Sequence, residues 1–100
     1  MIKELLWQRL CAEVLIGKEL LKLKKKRAWQ KSYDGTISWR DFLWHEFNLT
    51  EKHAQEMTHI AKWFIKKRLT PEDIKGYNSR RELSEDITKR DFHTRKLRNK

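Results

Sequence analysis

The sequence predicts an all-α fold, a small helical bundle, on three observations. Apolar residues in the first 28 positions recur at steps near 3.6 residues. Ser38, Thr50, Thr70 and Ser79 each stand where a helix would start, ahead of an acid or an apolar periodic run. Hydrophobic residues make up 38% of the 100-residue chain and charged residues another 38%, a balance that suits one small core under a charge-dense surface. One helical domain is expected over residues 1–88. A basic tail over 89–100 is expected to fray or stay disordered unless a partner orders it.

The first helix is expected over residues 2 to about 28. Leu6, Leu10, Val14 and Leu21 form its stripe and Gly17 completes it. Ile2, Leu5, Leu15 and Leu20 widen that stripe, as in a helix covered on more than one side. Gly inside a helix costs about 1 kcal/mol relative to Ala. The expected return is close approach by a neighbouring helix through Trp39 or Phe42. Cys11 is the only cysteine, so neither an intrachain disulfide nor a cysteine-based metal site can form. Among apolar helical residues it reads as a buried structural thiol.

After a turn signal at Asp34-Gly35, Ser38-Trp39-Arg40-Asp41 has capping-box spacing and opens a helix over about 39–46. Asn48 stands where the chain must turn sharply, and Thr50 caps a longer helix over 51–67. Leu43, Phe47, Leu49, Ala54, Met57 and Ile60 are expected to share one small core between these two helices. That is the outline of a helix-turn-helix, a unit that often binds DNA. The outer face of the longer helix would carry Glu51, Lys52, Gln55, Glu56, His59, Lys62 and Lys66. Trp44 departs from the outline, since a small residue is usual where two such helices cross. Glu51 and Glu56 depart as well, lying where a reading helix would approach phosphates. Thr70-Pro71-Glu72-Asp73 combines an N-cap, an N1 proline and first-turn acids, predicting a short helix over 71–76 that ends at Gly76. Ser79-Arg80-Arg81-Glu82 begins a last helix with Leu83 and Ile87 on its apolar side.

The net charge is +10, and its distribution says more than its size. Lys22, Lys24, Lys25, Lys26, Arg27 and Lys31 contribute +6 with no acid between them. Lys89, Arg90, Arg95, Lys96, Arg98 and Lys100 against Asp91 contribute +5, so the rest of the chain carries −1. Two basic patches on a nearly neutral body are the footprint of a nucleic-acid binder. Five cations within Lys22–Arg27 exceed what a helix dipole stabilises, because they repel one another. The phosphate-contact candidates are therefore Lys22, Lys24, Lys25, Lys26, Arg27, Lys31, Lys89, Arg90, Arg95, Lys96 and Arg98. Lys52, Gln55 and His59 are the candidates for base edges. Trp29, Tyr33, Trp44 and Trp63 are candidates for base stacking or for binding a protein partner.

Part of the chain resembles a family of uncharacterised bacterial, phage and plasmid proteins, DUF3102. The residues that carry the resemblance are Ile16-Gly17, Leu20 and Lys24, then Trp39, Phe42 and Leu43, then Thr50, Ala54, Met57 and Ala61. They span about half of the chain, and the basic loop between the two blocks is longer here. The resemblance implies a DNA-associated helical fold in a mobile-element context, and it supplies no catalytic residues.

No catalytic constellation stands out. His53 and His59 lie six residues apart, on different faces of a helix, unlike the i, i+4 pairs that ligate zinc. No phosphate loop or Gly-rich fingerprint occurs, so no enzyme, metal or cofactor is expected. Lys3, Glu4, Arg9 and Glu13 interrupt the N-terminus where a signal peptide needs an apolar stretch, so a cytoplasmic address and no membrane partner are expected. The expected function is nucleic-acid binding, with double-stranded DNA ahead of RNA. The alternative is a phage-type interaction protein that docks on and inhibits a host complex, with an acidic host surface as partner. Many helix-turn-helix proteins form homodimers; the apolar residues of the first helix suit either that role or the intrachain core.

Overall fold

The computed structural model describes the backbone of residues 1–26, 28–31, 33 and 35–98, and the side chains of these except residues 28 and 90–98. Among the described residues, five α-helices and one 3₁₀ turn follow in order: α1 Ile2–Lys26, α2 Ala28–Lys31, α3 Trp39–Phe47, α4 Glu51–Lys67, the turn Pro71–Ile74, and α5 Arg80–Arg98. The described residues contain no strand, so the fold is an all-α bundle. No helix among them is long and apolar enough to cross a membrane. The expectations for Arg27, Asp34 and Lys100 lie outside the described residues, and those for Arg90, Arg95, Lys96 and Arg98 lie outside the described side chains.

The local start and stop signals act where their chemistry requires. Ser38 Oγ accepts from the Asp41 amide at 3.1 Å and Thr50 Oγ1 from the His53 amide at 3.3 Å. Each contact satisfies a first-turn N–H that has no partner within its helix. Asn48 ends α3 in the left-handed conformation at φ 53°, which Asn tolerates through its short polar side chain. Arg68 ends α4 in the same conformation without that advantage. Asp73 accepts from the Thr70 amide at 2.7 Å and from its hydroxyl at 3.1 Å. The Thr70–Asp73 signal therefore works, but it nucleates a 3₁₀ turn that stops at Ile74, short of the helix expected to Gly76.

The spine of the molecule is the antiparallel pair α1–α4. Leu10 and Val14 share one cluster with Ile60 and Phe64. Leu20 shares the other with Ala54 and Met57. Ile74, Leu83 and Ile87 close the first cluster, with Trp7 and Trp63 packed against it. Leu43 closes the second, with Trp39 and Leu49 at its edge. Each fully buried Leu or Ile contributes about 1.5–3 kcal/mol, and α4 takes part in both clusters, through Ile60 and Phe64 in one and Ala54 and Met57 in the other.

Four expectations about packing are corrected. The close approach at Gly17 comes from α4, not from Trp39 or Phe42. A Cβ at residue 17 would overlap the Met57 carbonyl oxygen, lie 2.7 Å from its carbon and 3.0 Å from Ala61 Cβ. Phe47 is 49% exposed and Ile60 belongs to the other cluster, because α4 is packed chiefly along α1 and only its N-terminal half meets α3. Ile2, Leu5 and Leu15 do not widen the buried stripe; they remain 75%, 57% and 61% exposed. Cys11 is half-buried beside the first cluster rather than enclosed. Desolvation, with a smaller contribution from Glu72, raises its pKa.

Candidate nucleic-acid interface

The end of α1 is where uncompensated positive charge collects. Lys22, Lys24, Lys25 and Lys26 are all exposed, as is Lys31 at the end of α2. Only Lys22 has an acidic partner among the described residues, Glu19 at 3.4 Å. The Lys24 ammonium sits 5.8 Å from the centre of the Trp39 ring, a distance at which the ring face attracts a cation. An aromatic cluster anchors this end. Trp29 lies 5.2 Å from both Trp39 and Phe42, ring centre to ring centre, and Trp39 stacks on Phe42 at 5.7 Å.

That cluster decides the fate of the stacking candidates. Trp29 is 7% exposed, so it holds α2 against α3 and offers no face to a base. Its indole N–H is buried without a partner among the described residues. Tyr33 is half-buried, and its hydroxyl donates to the Glu46 carboxylate. That hydrogen bond first, then desolvation and the carboxylate charge, raises its pKa. Trp63 packs against the first core cluster. Trp44 alone of the four is well exposed, at 56%, which answers the crossing problem: it points outward.

On α4, Gln55, His59, Lys62 and Lys66 recur at helical spacing along one exposed face, with Lys52 one turn before Gln55. No ion pair engages Lys52, Lys62 or Lys66 among the described residues. Glu56, expected on this face, is turned toward α5 instead. Arg80 donates to Glu56 at 2.8 Å and also to Glu13 of α1. Burial acts to lower the Arg80 pKa, and the hydrogen bonds and charges of Glu56 and Glu13 outweigh it, so the pKa is raised. One guanidinium thus ties three helices together and removes one of the two acids from the outer face. Glu51 stays exposed in the first turn, where it favours the helix dipole.

The structure places single lysines of α4 and α5 on one cleft rather than joining the two basic patches. Because α1 and α4 are antiparallel, Lys22–Lys26 lie at the end of the molecule that carries Lys52. Lys52 and Lys89 line one open cleft of about 530 Å³ between α4 and α5, with Arg80, Arg81 and Glu85. Arg81 pairs with Glu85 at 3.4 Å. Lys62 and Lys66 lie toward the other end of α4, away from α1's basic turns. Sequence reasoning missed Arg80 and Arg81. The capping box at Ser79 places them on the first turn of α5, but nothing local indicates that Arg80 meets an acid 67 residues away. Compared with family models, curated proteins and solved structures, the chain matches none.

Proposed function

We propose that this chain is a small nucleic-acid-binding protein of mobile-element type, acting on double-stranded DNA and carrying out no catalysis. One observation carries the reading: Lys24, Lys25, Lys26 and Lys31, and Lys52, Lys62 and Lys66 on α4, are exposed cations with no acidic partner among the described residues. Such groups repel one another until phosphates neutralise them, and the counterions they release drive binding. Gln55 and His59 lie between the α4 lysines, where they would meet base edges. Burial of Trp29 removes one of the stacking candidates for unpaired bases, which favours a duplex over single strands.

Mobility shifts with duplex DNA, single-stranded DNA and RNA at several salt concentrations test the reading. With six to eight cations engaged, the log–log salt slope is expected to be about −5 to −7. Lys25→Glu with Lys26→Glu should weaken binding and flatten the slope by about 2. Duplex affinity that hardly changes with salt would refute the proposal. Trp44, exposed on α3 one turn after Arg40, favours the second reading, a protein that docks on a host complex. A stoichiometric host complex that survives nuclease treatment and is lost in Trp44→Ala would decide for that reading.

A further inference from the structure

α1 carries a second apolar stripe, open along its first half and only partly covered along its second. Ile2, Leu5, Arg9 and Ala12 are exposed at alternating steps of three and four residues, and Ile16, Glu19 and Leu23 continue the series. Steps of three and four are the a/d repeat of a coiled-coil seam. The stripe is separate from the buried face of Leu10, Val14 and Gly17. Its second half runs into an apolar groove of about 680 Å³, where Phe47 and Leu49 stand beside Ile16 and Leu23.

We infer that this seam is a homodimer interface in which α1 pairs antiparallel with α1 of a second copy, about a two-fold axis near residue 14. The charge pattern selects that occupant and that register. With the axis there, each a position faces a d position. Leu5 meets Leu23 of the second copy, Ala12 meets Ile16, and Arg9 meets Glu19, each pair occurring twice. Glu19 is the only acid in the seam and Arg9 the only cation before Lys26, and this register sets them opposite each other. Leu15, 61% exposed, flanks the seam and meets its own copy at the axis. Phe47 and Leu49 then cover Leu5 of the second copy. Arg9 now reaches Glu13 at 3.7 Å and Glu19 reaches Lys22 at 3.4 Å on the same helix; Arg9, Glu19 and Lys22 are exposed and yield readily, and Glu13 keeps Arg80 as its partner when Arg9 turns to the seam.

The pairing has a consequence that does rest on the nucleic-acid reading. Lys24 lies ten residues from the axis, so the two basic ends stand about 30 Å apart along the helix pair. Half-sites one duplex turn apart are separated by about 34–36 Å.

Sedimentation equilibrium of the full chain without nucleic acid tests the interface, so its outcome is independent of DNA binding. The expected species has about 25 kDa, twice the 12.3 kDa chain. Arg9→Glu or Glu19→Arg alone should weaken dimerisation at least ~10-fold by setting like charges opposite each other. The two changes together should restore it, and Ile16→Asp should abolish it while the far-ultraviolet circular dichroism is retained. A wild-type chain that stays monomeric at ~0.5 mM, far above the concentrations at which specific interfaces close, overturns the inference. A dimer indifferent to the charge reversals overturns the register.

Discussion

Replacing Gly17 by Ala separates what the local sequence favours from what the packing requires. In an exposed helix the change stabilises by about 1 kcal/mol. Here the new Cβ would overlap the Met57 carbonyl oxygen and lie 2.7 Å from its carbon. Carbon atoms rest at about 3.5–4.0 Å, so α1 and α4 must part by about 0.8 Å or more at this point. The obstacle is helix backbone, which cannot swing away as a side-chain tip does. Residue 17 also lies between the two core clusters, so parting the helices loosens Leu10 against Ile60 on one side and Leu20 against Met57 on the other. Overpacking of this kind costs about 3 kcal/mol at the upper end of its range. Set against the helix-propensity gain, the net loss is about 2 kcal/mol, a fall in Tm of about 8–16 °C for a chain of this size. Thermal melting followed by circular dichroism measures it. An unchanged or higher Tm would refute the close approach of α4.

Arg80→Ala leaves Glu56 without its cation and Glu13 with Arg9 alone, at 3.7 Å. Because these side chains keep a fifth or less of their exposure, the loss is set at about 1–2 kcal/mol, below that of a fully buried pair. Adding Glu13→Gln and Glu56→Gln should recover part of it in chemical denaturation, and no recovery would mean the loss is one of packing alone. Arg68→Gly, at φ 53°, relieves a left-handed strain of about 1–2 kcal/mol and adds unfolded-state freedom of about 0.5–1 kcal/mol. A net gain of about 0.5 kcal/mol is expected as a higher denaturation midpoint, and a lower midpoint would contradict it.

What the sequence determined by itself is whatever is decided within four or five residues. Ser38 with Asp41, Thr50 with His53 and Thr70 with Asp73 are contacts between chemical neighbours, so their spacing announced the helix starts. The 3.6-residue stripe of α1 likewise announced Leu10 and Val14 as core. The same stripe could not say which apolar flank is covered: Leu20 is buried and Leu15 exposed, because α4 lies on one side only. Periodicity marks a face as apolar without naming what meets it. For the candidate site, the sequence supplied the exposed lysines, since a run of like charges has nowhere to go but the surface. It could not supply the side to which Glu56 turns, nor the burial of Trp29. Those follow from Arg80 reaching back to α1 and from α2 folding onto α3, pairings between distant residues whose geometry exists only once the bundle has closed.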